Sequence, residues 1–376
     1  MGKTHGTVAL PWWKEAIKNW YKFPWIETFI TCLIALCVYI GWLFISWTVK
    51  APPEATHSVS YVSAWISGFF FISLGIGFLG TLCGIGGGVL WSPIAMAFTP
   101  MNSVVIRACG LIIAMFNALV ATGPLAKTGL CNIRLGLFFM IPIALGAFLG
   151  AKSAIYVAKV FGVAGEGVIR IILALIIFAL CFYFITGGKK IEYPEVKKED
   201  RFTAFFKLSL PYYEPSLGKV VDYKLHRGLW LWIAIFFVGL IGGFFGMGGG
   251  WAVVPALNVI MGCPLKVAAA VSMTGLGMGS CASVWPYFRA GAMIPIVVAP
   301  LFAGQVVGGI IGSYVLIGIR AVFVRYILIG TLLFTSFGLF TKGTQLLGWF
   351  TLPTWVRLGW ALVCVGVVIW LFKKGK

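Results

Sequence analysis

Long runs of apolar residues recur along the whole chain of 376 residues, and short polar stretches separate them. Several runs approach the ~20 residues that a helix needs to cross a bilayer. The composition agrees, because 60% of the residues are hydrophobic and only 10% are charged, whereas soluble domains carry about 25% charged residues. The pattern predicts an all-α polytopic integral membrane protein with about 8–12 membrane segments.

The spacing of the apolar runs divides the chain into five parts. These are an amphipathic interfacial helix with a first span at 1–60, a first repeat at 61–188, a charged connector at 189–227, a second repeat at 228–343 and a last span at 344–376. No small-residue cleavage site follows a short apolar core near the start, so we do not expect a cleaved signal peptide.

A glycine-rich string occurs twice. Residues 77–93 read GFLGTLCGIGGGVLWSP and residues 239–255 read GLIGGFFGMGGGWAVVP, a shift of 239 − 77 = 162 without a gap. Further repeat partners at this shift are Lys127 and Arg289, while a later match of Arg170 with Arg325 has a shift of 155. The same helix-breaking device therefore occurs in two related halves, as in many transporters.

The two halves are predicted to have inverted topology. Each contains five apolar segments, and the second, near 85–99, is short enough to be either a half-helix of a re-entrant pair or a tilted span. Three or five crossings per half are both odd, so the second half starts on the opposite side. The basic connector belongs in the cytoplasm, and counting crossings places both termini there too.

A glycine cluster between two apolar segments ends one helix and starts another, whose free N–H groups carry partial positive charge and bind anions. Two such breaks in an inverted pair meet near the midplane and form one site. Close helix packing is the alternative reading of these glycines. The predicted substrate-binding residues of the strings are Gly84, Gly86, Gly87, Gly88, Pro93, Gly246, Gly248, Gly249, Gly250 and Pro255.

Polar side chains on the third segment of each half are further candidates. Asn117, Ser272, Thr274 and Ser280 offer amide and hydroxyl donors, although hydrogen bonding between helices explains them equally well. Cation and proton carriers usually hold a carboxylate or a histidine within the membrane. The chain has no Asp or Glu from 55 to 165 and none after Asp222, which favours an anionic substrate.

Basic residues near the ends of spans usually extend to the interface. Lys127 and Arg289 are expected to attract anions at the two entrances, because they occupy matching positions. Arg107 is an additional anion-attracting candidate, and its repeat partner is Ala269.

The sequence shows no motif for metal binding, cofactor binding or catalysis. The nine cysteines form no CxxC pair, and we expect no metal site and no cofactor. Gly75, Gly77 and Gly80 spell GxGxxG, but the strand and the acidic residue of a dinucleotide site are missing. We therefore predict no catalytic residues and no enzyme activity.

The strings GIGGGVLWSP and GMGGGWAVVPALNVIMGCPLKVAAAVSM, each opening half of a duplicated membrane protein, resemble the TauE/SafE sulfite-exporter family over roughly residues 62–343. The resemblance implies a secondary transporter of small anions, often sulfite or organosulfonates. It carries over the matched glycines and prolines of both strings. The long connector, the extra first span and Arg107 depart from the family pattern.

The sequence thus predicts a multi-pass transporter of the bacterial inner membrane that moves small sulfur oxyanions by alternating access, one half rocking against the other. An anion channel or facilitator is the first alternative, and a membrane enzyme, scaffold or assembly subunit is the second. The expected partners are a small anion and membrane lipid, without nucleic acid. The identity of the anion, the direction of transport, the coupling ion and homo-oligomer formation are left open.

Overall fold

The computed structural model describes residues 25–48, 59–99, 101–160, 162–186, 192–196, 198–214 and 218–374. The predicted interfacial helix at the N-terminus lies outside these residues. The helices of the first half are α1 (Trp25–Thr48), α2 (Val59–Cys83), α3 (Gly87–Phe98), α4 (Ser103–Lys127), α5 (Ile133–Phe138), α6 (Met140–Val160) and α7 (Gly162–Thr186).

The second half repeats this order after the connector. The connector holds α8 (Arg201–Phe205), β1 (Tyr212–Glu214) and β2 (Lys219–Val221), and then follow α9 (Gly228–Phe245), α10 (Gly250–Met261), α11 (Leu265–Arg289), α12 (Pro295–Gly318), α13 (Ala321–Leu346) and α14 (Thr354–Lys374). The bounds of α4 and α11 differ by 162 at both ends. The predicted all-α class is confirmed.

Seven helices among the described residues are long and apolar enough to cross a membrane: α2, α4, α6, α9, α11, α12 and α13. Large apolar side chains cover the outside of the protein, among them Phe71, Phe182 and Leu362, which are 70%, 63% and 74% exposed. A water-soluble protein rarely exposes so much contiguous apolar surface. This exterior is suited to lipid, and the chain is a multi-pass membrane protein.

The short segments that follow the glycine strings are helices of 12 residues each, α3 and α10. A rise of 1.5 Å per residue gives each a length of about 18 Å, well below the ~30 Å of the hydrocarbon core. Neither can cross the membrane alone. The sequence had indicated about 15 residues at 85–99, and α3 is shorter because Ile85, Gly86 and Thr99 lie outside the helix.

The long helices at the edge of each half pack on helices of the other half. Glycines of α12 lie directly on α2: a Cβ added at Gly308 would overlap the backbone of Leu74 and Phe78, and one added at Gly312 would overlap Phe78 and Thr81. In the same way, Gly146 of α6 lies on the α9 backbone. Since α12 corresponds to α6 and α9 corresponds to α2, the two contacts are repeat partners, and small residues allow the close approach in both.

Equivalent helices of the two halves run antiparallel where they touch. Thr122 of α4 lies beside Thr274 of α11, with their hydroxyls 3.5 Å apart, while Leu119 contacts Gly277. Residue numbers along α4 therefore rise in the direction in which those along α11 fall, so the two helices are antiparallel. Likewise, Cys181 of α7 reaches Ile329 of α13, and Ser336 of α13 donates to Ala174 O of α7.

The connector folds onto the ends of membrane helices through buried ion pairs. Its strands β1 and β2 pair antiparallel, and Glu214 of β1 reaches Lys266 at the start of α11, with Oε1 and Nζ 2.7 Å apart and both side chains buried. Oε1 of Glu192 lies 3.1 Å from Nη1 of Arg325, which is in the first turns of α13. The expectation that basic residues near span ends extend to the interface is therefore wrong for these two, because the connector supplies buried carboxylates.

Candidate functional site

The two glycine strings adopt the same backbone conformation. Gly84 and Gly86 have φ of 71° and 73°, and their partners Gly246 and Gly248 have φ of 68° and 70°. The Ile85 N–H donates to Gly80 O at 3.0 Å, and the equivalent bond in the second string has the same length. This is the Schellman arrangement that ends a helix at a left-handed glycine, so α2 and α9 stop at the same point of their repeats.

The two breaks lie against each other in the buried centre of the protein. A Cβ added at Gly88 would lie 2.7 Å from Met247 O, and one added at Gly250 would overlap Ile85, the repeat partner of Met247. Both strings are buried from Gly84 to Gly88 and from Gly246 to Gly250. The sequence had predicted that the two breaks meet, and the contacts between the strings bring together the glycines predicted as site residues.

Each break also packs on the start of the opposite third segment. A Cβ at Gly84 would strike the backbone of Ala269 in α11, and a Cβ at Gly246 would strike Arg107 in α4. Ala269 and Arg107 are repeat partners, so these contacts are reciprocal too. No side chain other than hydrogen fits at Gly84 or Gly246, which explains the glycines as close-packing residues as well as helix ends.

Helices α3 and α10 begin directly after the breaks, at Gly87 and Gly250. The first N–H groups of a helix have no partner within it, and the aligned peptide dipoles make this end partly positive. Two such ends therefore start from the region where the strings touch. Pro93 and Pro255 lie within these two helices, away from their first turns.

At each break a serine hydroxyl donates a hydrogen bond to the carbonyl group of the left-handed glycine at the helix end. Ser272 of α11 donates to Gly84 O, and Ser92 of α3 donates to Gly246 O at 3.4 Å. Thr274 bonds with the thiol of Cys131, with Oγ1 and Sγ 3.0 Å apart. The predicted donors Ser272 and Thr274 thus have partners within the protein.

Asn117 belongs to a buried polar cluster beside the first break. Its Nδ2 donates to Gly77 O and to Oε1 of Gln305, both at 2.9 Å, while Thr81 donates to its Oδ1 at 2.9 Å. Gln305 donates in turn to Ser73 O. The cluster joins α2, α4 and α12, and the amide of Gln305 lies directly over the Cα atom of Gly87.

The equivalent place in the second half is apolar. The repeat partners of Ser73, Thr81, Asn117 and Gln305 are Ile235, Gly243, Gly279 and Ile143, and Ile143 lies beside Gly249 as Gln305 lies beside Gly87. The two breaks therefore have the same backbone conformation, but the side chains around them differ in polarity.

The three predicted anion-attracting residues lie in different surroundings. Arg107 is buried, and its guanidinium carbon lies 5.5 Å from the ring centre of Phe244. Lys127 and Arg289 are exposed in the last turns of α4 and α11. Because these helices are antiparallel, Lys127 and Arg289 lie at opposite ends of the pair.

Two buried residues of this region escaped the sequence analysis. Gln305 lies 188 residues from Asn117, and its position on α12 is an ordinary one in an apolar pattern. Trp251, at the second residue of α10, is 3% exposed. Its only sequence signal is that an indole replaces Val89 of the first string.

Comparisons with known proteins agree with this architecture. The profile of the family described as Sulfite exporter TauE/SafE matches residues 24–184 and 69–339. A relative from Bacillus subtilis (strain 168), the "Probable membrane transporter protein YunE", is 26% identical over 245 residues, which cover 63% of this chain and 83% of that protein. No solved structure matches.

Proposed function

Because the chain belongs to the sulfite exporter TauE/SafE family, we propose that it is a secondary transporter that carries small sulfur oxyanions across the bacterial inner membrane. Family membership and the relative make it a membrane transporter. The proposal adds the substrate class, which includes sulfite, sulfate and organosulfonates, and adds alternating access as the mechanism.

The contact between the two glycine breaks is the observation that carries the proposal. Helices α3 and α10 both start there, and their N-terminal ends favour negative charge. Within the described helices α2–α6 and α9–α13 the sequence has no carboxylate to oppose an anion. Arg107 packs against Gly246, and its buried guanidinium group adds positive charge near the second break.

Inverted orientation of the two halves is part of the proposal. The antiparallel contacts of α4 with α11 and of α7 with α13 support it, since equivalent helices then cross the membrane in opposite directions. The basic connector favours a cytoplasmic location at its end of the protein. An inverted pair offers two related conformations in which the site opens to either side.

We propose moving parts that differ from the two halves that the sequence indicated. Since α2 packs on α12 and α6 packs on α9, neither half can rock as a separate body without breaking these close contacts. We propose that the cross-paired bodies move instead: α2 with α12 against α6 with α9, around the central pair α4 and α11.

Flux of radiolabelled sulfite into proteoliposomes tests this function. We expect saturable uptake and counterflow, which a carrier shows and an open channel does not. Gly87→Leu and Gly249→Leu should abolish uptake. Gly75→Leu is the matched control, because a Cβ at Gly75 meets nothing within 4 Å. Normal uptake by properly folded Gly87→Leu and Gly249→Leu proteins contradicts the proposal, as does the absence of counterflow.

A further inference from the structure

The indole of Trp251 carries a buried hydrogen-bond donor with no partner among the described residues. The side chain is 3% exposed, and its Nε1 atom is shielded from the surroundings of the protein. Buried polar groups are nearly always hydrogen-bonded in native proteins, and each exception requires an explanation. Trp251 Nε1 is such an exception next to the proposed site.

Two other indoles follow the rule, whereas Nε1 of Trp360 on α14 is a second buried donor without a partner among the described residues. Nε1 of Trp91, which is as deeply buried as Trp251, donates to Ile106 O at 3.3 Å. Nε1 of Trp232 donates to Phe138 O at 2.8 Å. The fold can therefore satisfy the N–H group of a buried indole on α3, the helix that is equivalent to α10.

The position of Trp251 places its side chain near the second break. It is the second residue of α10, directly after Gly250, which packs on Ile85 of the first string. Side chains on a helix lean towards its N-terminus. The indole therefore lies on the side of α10 where the free backbone N–H groups of the first turn also lie.

We propose that Trp251 Nε1–H donates a hydrogen bond to an oxygen atom of the transported anion. An indole nitrogen is a donor only, so its ligand must be an acceptor, and the partly positive helix end favours a negative one. The proposal rests on the proposed function and adds a residue to its site. Because the repeat partner is Val89, this contact exists in one half only, and the anion is held asymmetrically.

Replacement of Trp251 by phenylalanine tests the contact, because it removes the N–H group and keeps an aromatic ring. We expect Trp251→Phe to raise the Kd for sulfite, measured by calorimetry on the purified protein, about tenfold or more. Both this variant and Trp91→Phe lose buried ring volume, but the unfolding temperature without ligand should fall less in Trp251→Phe, since no hydrogen bond within the described protein is lost. Trp91→Phe is the matched control: it should lower that temperature and leave the Kd unchanged.

Three results separate the possible failures. If Trp251→Phe binds sulfite as the unchanged protein does, the contact with Trp251 is refuted while the proposed function stands. If the unchanged protein binds none of sulfite, sulfate, thiosulfate and sulfoacetate, both fail. Should Trp251→Phe not fold, benzothienylalanine at position 251 keeps the indole shape without the N–H group, and equal affinity in that variant also refutes the contact.

Discussion

The ion pair between Lys266 and Glu214 gives a quantitative test of how the connector is held. Lys266→Met leaves the Glu214 carboxylate buried, with the hydroxyl of Tyr212 as a remaining donor at 3.2 Å. Breaking a buried pair by removing one partner costs about 3–5 kcal/mol. We expect about 3 kcal/mol, at the lower end of this range, since the bond from Tyr212 remains.

The double variant Lys266→Met/Glu214→Leu removes both charges, and its loss should be much smaller than that of the single variant. Replacement of a whole buried pair by apolar residues is often neutral. Unfolding in mixed micelles of SDS and a mild detergent, followed by circular dichroism, measures both losses. A loss below about 0.5 kcal/mol for Lys266→Met, or a double-variant loss equal to the sum of both single losses, would refute the reasoning.

Three further predictions concern the breaks, the entrances and the connector. Gly84→Ala should prevent stable folding, whereas Gly129→Ala, which has a similar positive φ but open space around it, should cost only about 1 kcal/mol; equal thermal midpoints for the two variants contradict this. Lys127→Gln and Arg289→Gln should each slow uptake from a different side of the membrane at low salt and have little effect at high salt, which flux into oriented vesicles measures; a loss that does not depend on salt argues against steering. Burial and then the nearby Arg227 cation lower the pKa of His226, so protonation favours the unfolded connector, and stability should fall as the pH drops below the ordinary histidine value of about 6.5. His226→Gln should remove this dependence of the unfolding temperature on pH, and an unchanged dependence shows that another group titrates.

Much of the fold follows from local signals in the sequence. The glycine strings predicted both helix breaks, because a left-handed glycine ends a helix whatever surrounds it. Apolar length predicted the spans, and the bounds of α4 and α11 agree closely with those expected from the repeat. The resemblance to the TauE/SafE family is confirmed as well.

Contacts between distant parts of the chain could not be predicted in this way. Glu214 and Lys266 lie 52 residues apart, and hydropathy does not indicate that a carboxylate in a polar connector will be buried. Likewise, an apolar helix pattern does not reveal its neighbour, so the packing of α2 on α12 and the meeting of Asn117 with Gln305 require the three-dimensional structure. The polar environment of the first break is therefore a structural finding.

The exchange of partners between the halves has a consequence for how the protein is made. Phe70 of α2 leaves the ribosome 304 − 70 = 234 residues before Gly304, the α12 residue that packs on it. During all that synthesis the part of α2 that packs on α12 can meet only lipid or temporary neighbours. The newly inserted first half is thus an incomplete folding unit, and a chain that stops in the connector leaves both α2 and α6 without their final contacts. Helix α2 can pack on α12 only after α12 has been synthesised and inserted.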